Sequence, residues 1–340
     1  HEIGHFLGAK HTFNYHVAST QNTEASVELY GGYSIMGYGY NLGYWPSASF
    51  GLPFPGNWPN THSSSVLHFN AVSLKQIFTK LAEATCLAPT PLPCAGLDAI
   101  ANTTENIIIP KGTSFMLRAS NTPGDNNMFY QFNQVDNGVI NGWPLDIENP
   151  DIPLTPSYRS TNKAYRFFRG PLEADNNQHL SNVGREMNFN YLKRRVLGGI
   201  GVTDINYKKV TVSSEAGPLK ITSINYEPDA ATTTIHDFKF KDNCFITWEV
   251  NDTRTKLSNA GVLDIYLIAL GELESPTPWN FDIDSTDFLL VAKDVANLGF
   301  YNGELFYNKK IHAGSYRLVL MTKDKTIFTF SNSKIEILPN

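Results

Sequence analysis

At 340 residues the chain is longer than one ordinary domain and suits two or three, and its 41% hydrophobic, 17% charged and 12% aromatic content is that of a globular protein rich in β structure. A formal net charge of -5 and a pI near 6.0 give no reason to expect nucleic acid, and Lys193-Arg194-Arg195, the one basic triplet, is expected at a solvated strand end. The best apolar run, Val262 to Leu270, is too short for a membrane helix and carries Asp264, so no transmembrane segment is expected.

The first predicted element is a helix carrying His1-Glu2-Ile3-Gly4-His5. His1 and His5 are four apart, so on a helix they stand one above the other, about 6 Å along the axis, and both can face one metal ion. Glu2 is too close to His1 in sequence to share that metal comfortably, and it suits a base acting on metal-activated water. Gly8 takes a positive φ at little cost, which ends the helix and turns the chain so that His11 supplies a third nitrogen. Three neutral imidazoles leave one position of a tetrahedral zinc open, as a catalytic site requires. An HExxH alone arises by chance in helices; the added Gly8 and His11 give the pattern its specificity.

This order of residues, followed downstream by Ser34-Ile35-Met36-Gly37-Tyr38, resembles the metzincin zinc peptidases, whose signature is completed by a Met-turn beneath the metal. The resemblance implies Zn2+ on His1, His5 and His11, Glu2 as general base and Met36 as the structural Met-turn residue. It also implies for Tyr38 a switchable fifth ligand whose hydroxyl can donate to an oxyanion, with a plain structural tyrosine as the alternative. Met36 taken alone reads as a core gap-filler. The motif begins at the first residue, without an initiator Met, so a longer precursor is expected, and with it the sheet and helix that form the upper wall of a metzincin cleft. The chain by itself is accordingly expected to bind zinc weakly and to cleave poorly or not at all.

Gln21 to Gly32 reads as a polar loop running to the Met-turn. Tyr38 to Asn60, with Pro46, Pro53, Pro55 and Pro59, excludes a helix or a central strand and is expected to wrap the cleft as an aromatic-rich wall, with Tyr44 and Trp45 lining it or packing beneath it. Leu74, Ile77, Phe78 and Leu81 form an i, i+3, i+4, i+7 stripe, which predicts an amphipathic helix from about Ser73 to Ala84. His62 and His68 precede it and are expected as surface or capping residues, with a second metal site as the rarer reading. Cys86 and Cys94 can close a small disulfide loop, which would fit an extracellular protein; three reduced thiols, Cys244 included, is the alternative. Pro89 to Pro93 reads as a linker.

From Leu97 onward short alternating runs predict strands: 106–110, 114–118, 128–132, 187–191 and 210–212, then, after a boundary at Gly217-Pro218, 244–250, 263–268, 315–320 and 326–330. Residues 137–181 lack clear strands and are expected as a large surface loop. Ile109-Pro110-Lys111-Gly112-Thr113-Ser114-Phe115-Met116-Leu117, following the run to Phe13, the Met36 turn and the helix before Cys86-Leu87, resembles the reprolysin-like metallopeptidases of secreted bacterial proteins, which carry Ig-like or cadherin-like modules behind the protease. The last module, with Ile246-Thr247-Trp248 and Gly314-Ser315-Tyr316-Arg317-Leu318, is similar to a KNH-like β-sandwich. Relatives of this kind tend to carry extra cysteines between the third zinc histidine and the Met-turn, and this chain has none there.

The expected fold is therefore α+β and multidomain: the C-terminal portion of a metzincin catalytic domain at 1–88, an Ig/cadherin-like β-sandwich at 97–215 and a second, KNH-like β-sandwich at 217–340. The expected function is a secreted or cell-surface zinc endopeptidase acting on protein or peptide. The alternative is a surface adhesion or glycan-binding protein whose protease region is vestigial, with Trp143, Trp248 or Trp279 available to stack on sugars. Association with the cell surface or extracellular matrix would run through the β modules. Calcium is an open reading at Asp282, Asp284 and Asp287, where an acidic surface loop is the commoner explanation.

Overall fold

Strands account for about half of the described residues: β9 alternates in burial, whereas β4 is buried along its whole length. The computed structural model describes residues 1–14, 24–29, 32, 34–37, 68–84, 105–119, 128–138, 146–157, 160–168, 179–197, 200–225, 237–238, 243–269, 288–304 and 313–338. Its helices are α1 (Glu2–Phe6), α2 (Ala71–Ala82) and α3 (Thr253–Lys256). The first strands are β1 (Glu105–Pro110), β2 (Ser114–Arg118), β3 (Met128–Gln134), β4 (Tyr165–Phe168), β5 (Arg185–Leu197), β6 (Ile200–Ser213) and β7 (Lys220–Asn225). The rest are β8 (Asp237–Phe238), β9 (Asn243–Glu249), β10 (Val262–Ala269), β11 (Phe288–Ala296), β12 (Phe300–Glu304), β13 (Gly314–Thr322), β14 (Ile327–Phe330) and β15 (Ile335–Ile337).

This balance overturns the α+β class and with it a metzincin catalytic domain built on active-site helices: the three helices hold 5, 12 and 4 residues, and the described chain is mostly β. The local reason lies at Gly8, whose φ of +90 closes α1 after little more than one turn. The histidine motif thus adds five helical residues to a described chain whose strands hold many more.

The chain folds as two compact units. The first takes residues 1–107, 119–164 and 186–210. Its sheet runs β1-β6-β5-β3, with β3 antiparallel to β5 from Met128 opposite Arg195 to Gln134 opposite Phe189. Met128, Tyr130, Phe132, Phe189, Tyr191 and Leu192 are buried, and the rings of Phe132 and Tyr191 stack at 5.6 Å. Lys193 and Arg194 do not lie at a solvated strand end: Lys193 is fully buried, and Arg194 donates to the Phe69 carbonyl at 3.1 Å and to Ser160 at 3.2 Å. The helix expected from Ser73 starts at Ala71, because the Asn70 side chain caps it by accepting from the Val72 N–H at 3.0 Å. The same Asn70 amide donates to Ser157 at 2.8 Å.

The expected surface loop at 137–181 is in part structural. Ile152 and Leu154 are buried, and the Gln134 carbonyl oxygen accepts from the N–H groups of Leu154 and Thr155 at 2.8 and 3.1 Å and from the Thr155 hydroxyl at 3.2 Å. One glutamine thus meets the backbone demand of a segment with no strand partner, so no period-two signal is written in its sequence. The four residues of β4 also fall within this stretch.

The second unit takes residues 108–118, 165–185 and 211–340. Its larger sheet runs β11-β10-β13-β14-β2-β4, with β15 against β13 and β8, and a three-stranded sheet runs β12-β9-β7. Met116, Tyr165, Phe167, Ile268, Phe288, Val319, Met321 and Phe328 form a buried cluster on the larger sheet. β2 and β4, expected in the sandwich at 97–215, hydrogen-bond in the same sheet as β14, expected in the module at 217–340. Gly217-Pro218, read as a boundary, is instead a packed joint. The Lys111 N–H donates to the Ala216 carbonyl at 2.9 Å, the Gly217 N–H to the Asn251 carbonyl at 2.8 Å, and a Cβ on Gly217 (φ +101) would collide with the Lys111 carbonyl.

Leu154→Ala lowers unfolding stability by about 2–5 kcal/mol, the cost of emptying a buried leucine site, where a surface-loop leucine would cost about 0.5 kcal/mol or less. Urea unfolding followed by tyrosine and tryptophan fluorescence separates the two.

Candidate metal centre

His1 is the residue that begins α1, and its ring does not cap the helix. Its Nδ1 lies 2.7 Å from the Ile35 carbonyl, and the Nδ1 of His5, one turn on, lies 2.8 Å from the Ala9 carbonyl. A carbonyl only accepts, so both Nδ1 atoms carry the proton, and in the neutral rings both Nε2 atoms present lone pairs. After α1 the Gly8 N–H bonds the His5 carbonyl at 2.9 Å and the Ala9 N–H bonds the Gly4 carbonyl at 2.9 Å, a turn that returns the chain toward the helix and brings His11 in.

The three Nε2 atoms converge: His1 to His5 at 3.2 Å, His1 to His11 at 3.3 Å and His5 to His11 at 3.0 Å. Facing lone pairs at that separation repel unless a cation lies between them. Two nitrogens bound at about 2.0–2.1 Å to a tetrahedral zinc stand about 3.3–3.4 Å apart, so the spacing fits that ion. An all-imidazole donor set equally suits copper, iron or nickel. Among the described residues this is the one group of three or more His, Cys, Asp or Glu side chains close enough to hold a metal ion.

Beneath the helix lies a turn at Ser34–Gly37, closed by the Gly37 N–H to the Ser34 carbonyl at 2.9 Å. Met36 in this turn is fully buried with Ala9 and Ile77, and Leu7, Ile35, Phe69 and Leu81 pack around them. A Cβ on Gly4 would collide with the Met36 sulfur and meet the Phe69 ring at 3.0 Å, so only glycine lets α1 lie this close to the turn. Glu2 is exposed in the first turn of α1, where the helix dipole favours a carboxylate. Ile3 and Phe6 face solvent at 74% and 85% exposure.

Sequence reasoning missed Glu28. It lies in the stretch read as a polar loop, yet it is fully buried; its carboxylate accepts from the Thr12 hydroxyl and from the Ser34 hydroxyl at 2.7 Å, and from the Ser34 N–H at 3.2 Å. No local pattern marks it, because its partners lie on both sides of the loop it belongs to.

Tyr38, Tyr44, Trp45, His62, Cys86, Cys94, Trp143, Trp279, Asp282, Asp284 and Asp287 lie outside the described residues. Trp248 is a core residue, its indole N–H donating to Asn297 at 2.7 Å, so it offers no face to a sugar. Cys244 is buried with a free thiol, which burial pushes well above its ordinary value. His68 is neither a surface residue nor a member of the metal cluster. Its ring is buried, neither ring nitrogen has a hydrogen-bond partner among the described residues, and burial, reinforced by the Arg194 charge, lowers its pKa from 6.5 to about 3.

The depressed value makes His68 a source of acid sensitivity. As pH falls, the unfolded chain takes up this proton first, so the stability associated with the neutral ring is complete above about 6.5 and is lost progressively toward about 3. His68→Leu, which leaves no polar atom unpaired, should keep its stability at pH 7 and show a shallower loss between pH 6.5 and pH 4 than the parent chain in urea unfolding.

No family model matches the chain, and no curated protein matches it. Among solved structures it is similar to a chimeric titin Z1Z2 functionalized with a KLER exogenous peptide from decorin, at 10% identity over 70% of this chain and 96% of that one with a TM-score of 0.19. It is also similar to the N-terminal four Ig domains of Dscam1 isoform 8.4, at 10% identity over 69% of this chain and 43% of that one with a TM-score of 0.17. Chicken VE-cadherin EC1-2 is matched at 9% identity over 71% of this chain and 100% of that one, again with a TM-score of 0.17. TM-scores this low establish no shared fold.

Proposed function

We propose that His1, His5 and His11 hold a zinc ion and that the centre hydrolyses peptide bonds in a secreted or cell-surface protein. The observation that carries this reading is the convergence of three Nε2 atoms at 3.0–3.3 Å while the Nδ1 atoms of His1 and His5 are tethered to carbonyls. Zinc held there supplies a Lewis acid for the scissile carbonyl and a water whose pKa is lowered to about 7. Glu2, exposed at the start of α1, takes the proton from the attacking water and returns it to the leaving amine. The exposed apolar side chains of Ile3 and Phe6 beside Glu2 suit contact with a polypeptide rather than with a small charged substrate.

A second reading assigns the work to the β part, as an adhesion or surface-binding protein whose histidine centre is vestigial. It is favoured by how the described chain is spent: fifteen strands, and no further metal-ligating cluster among the described residues.

Metal analysis and cleavage of a fluorogenic peptide library separate the two. On the hydrolase reading the purified chain takes up zinc at saturating metal and shows weak cleavage, Glu2→Gln keeps the zinc and lowers that cleavage by about 100-fold or more, and His11→Ala loses the metal. Cleavage that persists undiminished in Glu2→Gln sinks the assignment of the base. A chain that binds no zinc yet adheres to cell-surface glycans or matrix proteins supports the second reading.

A further inference from the structure

We propose that Glu28 is a positioning residue of the histidine centre, tying the segment that carries its third ligand to the turn that holds its first. The inference rests on the metal-binding reading above. His11 is followed directly by Thr12, whose hydroxyl donates to the Glu28 carboxylate and whose N–H donates to the Met36 carbonyl at 3.3 Å. On the other side Ser34 opens the turn, and its hydroxyl and N–H donate to the same carboxylate at 2.7 and 3.2 Å. The next residue, Ile35, accepts the Nδ1–H of His1 at 2.7 Å. One carboxylate is therefore bonded one residue away from His11 and one residue away from the carbonyl that orients His1.

The backbone repeats the tie. The Glu28 N–H donates to the Thr12 carbonyl at 2.8 Å, and the Glu28 carbonyl accepts from Asn14 at 2.9 Å. Gly32 (φ +78) seals the carboxylate from above, since a Cβ there would lie 3.1 Å from Glu28 Oε2 and 2.9 Å from the Gly37 Cα. The group is fully buried, and among the described residues no lysine or arginine pairs with it. A carboxylate is expensive to place so and is kept off solvent only by these donors. Groups that bond a ligand directly typically account for a 10–100-fold change in metal affinity, and Glu28 reaches His11 and the His1 acceptor through one residue on each side. Thr12 and Ser34 cannot substitute for one another, because the carboxylate's use lies in having one donor on each segment.

Zinc affinity of the whole chain, measured by competition with a chromophoric chelator, and the visible spectrum of the Co2+-loaded chain test the proposal. Glu28→Gln should weaken zinc binding about 10–100-fold and alter the Co2+ spectrum, and Glu28→Asp should recover part of the loss. Ser34→Ala removes the donors' hydroxyl on the turn side alone and should shift affinity in the same direction by less. It also keeps the test open should Glu28→Gln fail to fold, which far-UV circular dichroism would show. If the parent chain takes up neither zinc nor Co2+, the metal reading and this one fall together. If the parent chain binds and Ser34→Ala and any folded Glu28 variant match it in affinity and spectrum, only the positioning role is overturned.

Discussion

Two backbone carbonyls govern the amino-terminal site. Ile35 and Ala9 each take the Nδ1 proton of a histidine, and by doing so they turn the Nε2 lone pairs of His1 and His5 toward each other and toward His11. Without those acceptors the rings would be free to rotate and to exchange tautomers, and the Nε2 atoms would not be held facing one another at 3.0–3.3 Å. The carbonyls are in place because of packing: Ala9 follows the Gly8 turn, and Ile35 is carried by the turn that buries Met36 against Gly4. A five-residue helix is too short to be stable alone, so its position belongs to that contact and not to helix propensity.

The floor of the site combines an apolar and a polar device. Met36, Ala9 and Ile77 exclude water beneath α1, and the thioether fills the irregular space left by the missing side chain of Gly4. Beside this cluster the buried Glu28 joins the two chain segments that an apolar contact would leave free to slide. Hydrophobic contact is non-directional, whereas hydroxyl-to-carboxylate bonds are directional. The combination gives both closeness and register.

Within each unit, order is passed on by side chains that serve distant backbone. Gln134 in β3 satisfies Leu154 and Thr155, and Asn70 both caps α2 and bonds Ser157. In the second unit Asn297 accepts from Trp248 and donates to Thr253 and the Ala260 carbonyl, which binds three separate stretches at one buried amide. These groups keep non-strand segments from carrying unsatisfied polar atoms into the interior. They explain how long irregular connections coexist with sheets of non-consecutive strands.

By itself the sequence determined what depends on short range. The spacing of His1, His5, Gly8 and His11 places three imidazoles together because helix pitch and one left-handed glycine are local matters, and the strands 114–118, 128–132 and 263–268 declare themselves by β-branched and aromatic runs. A motif of few residues is specific about a site and says little about the class of the fold, which the many residues around it decide. Only the tertiary structure decided the rest. It set β2 between β14 and β4, buried Lys193 in mid-strand, made Gly217 a packed joint and not a boundary, and gave Glu28 its partners. In each case the deciding interaction joins residues far apart in the chain or across a loop, where hydrogen-bond complementarity and burial, and no sequence period, select the partner.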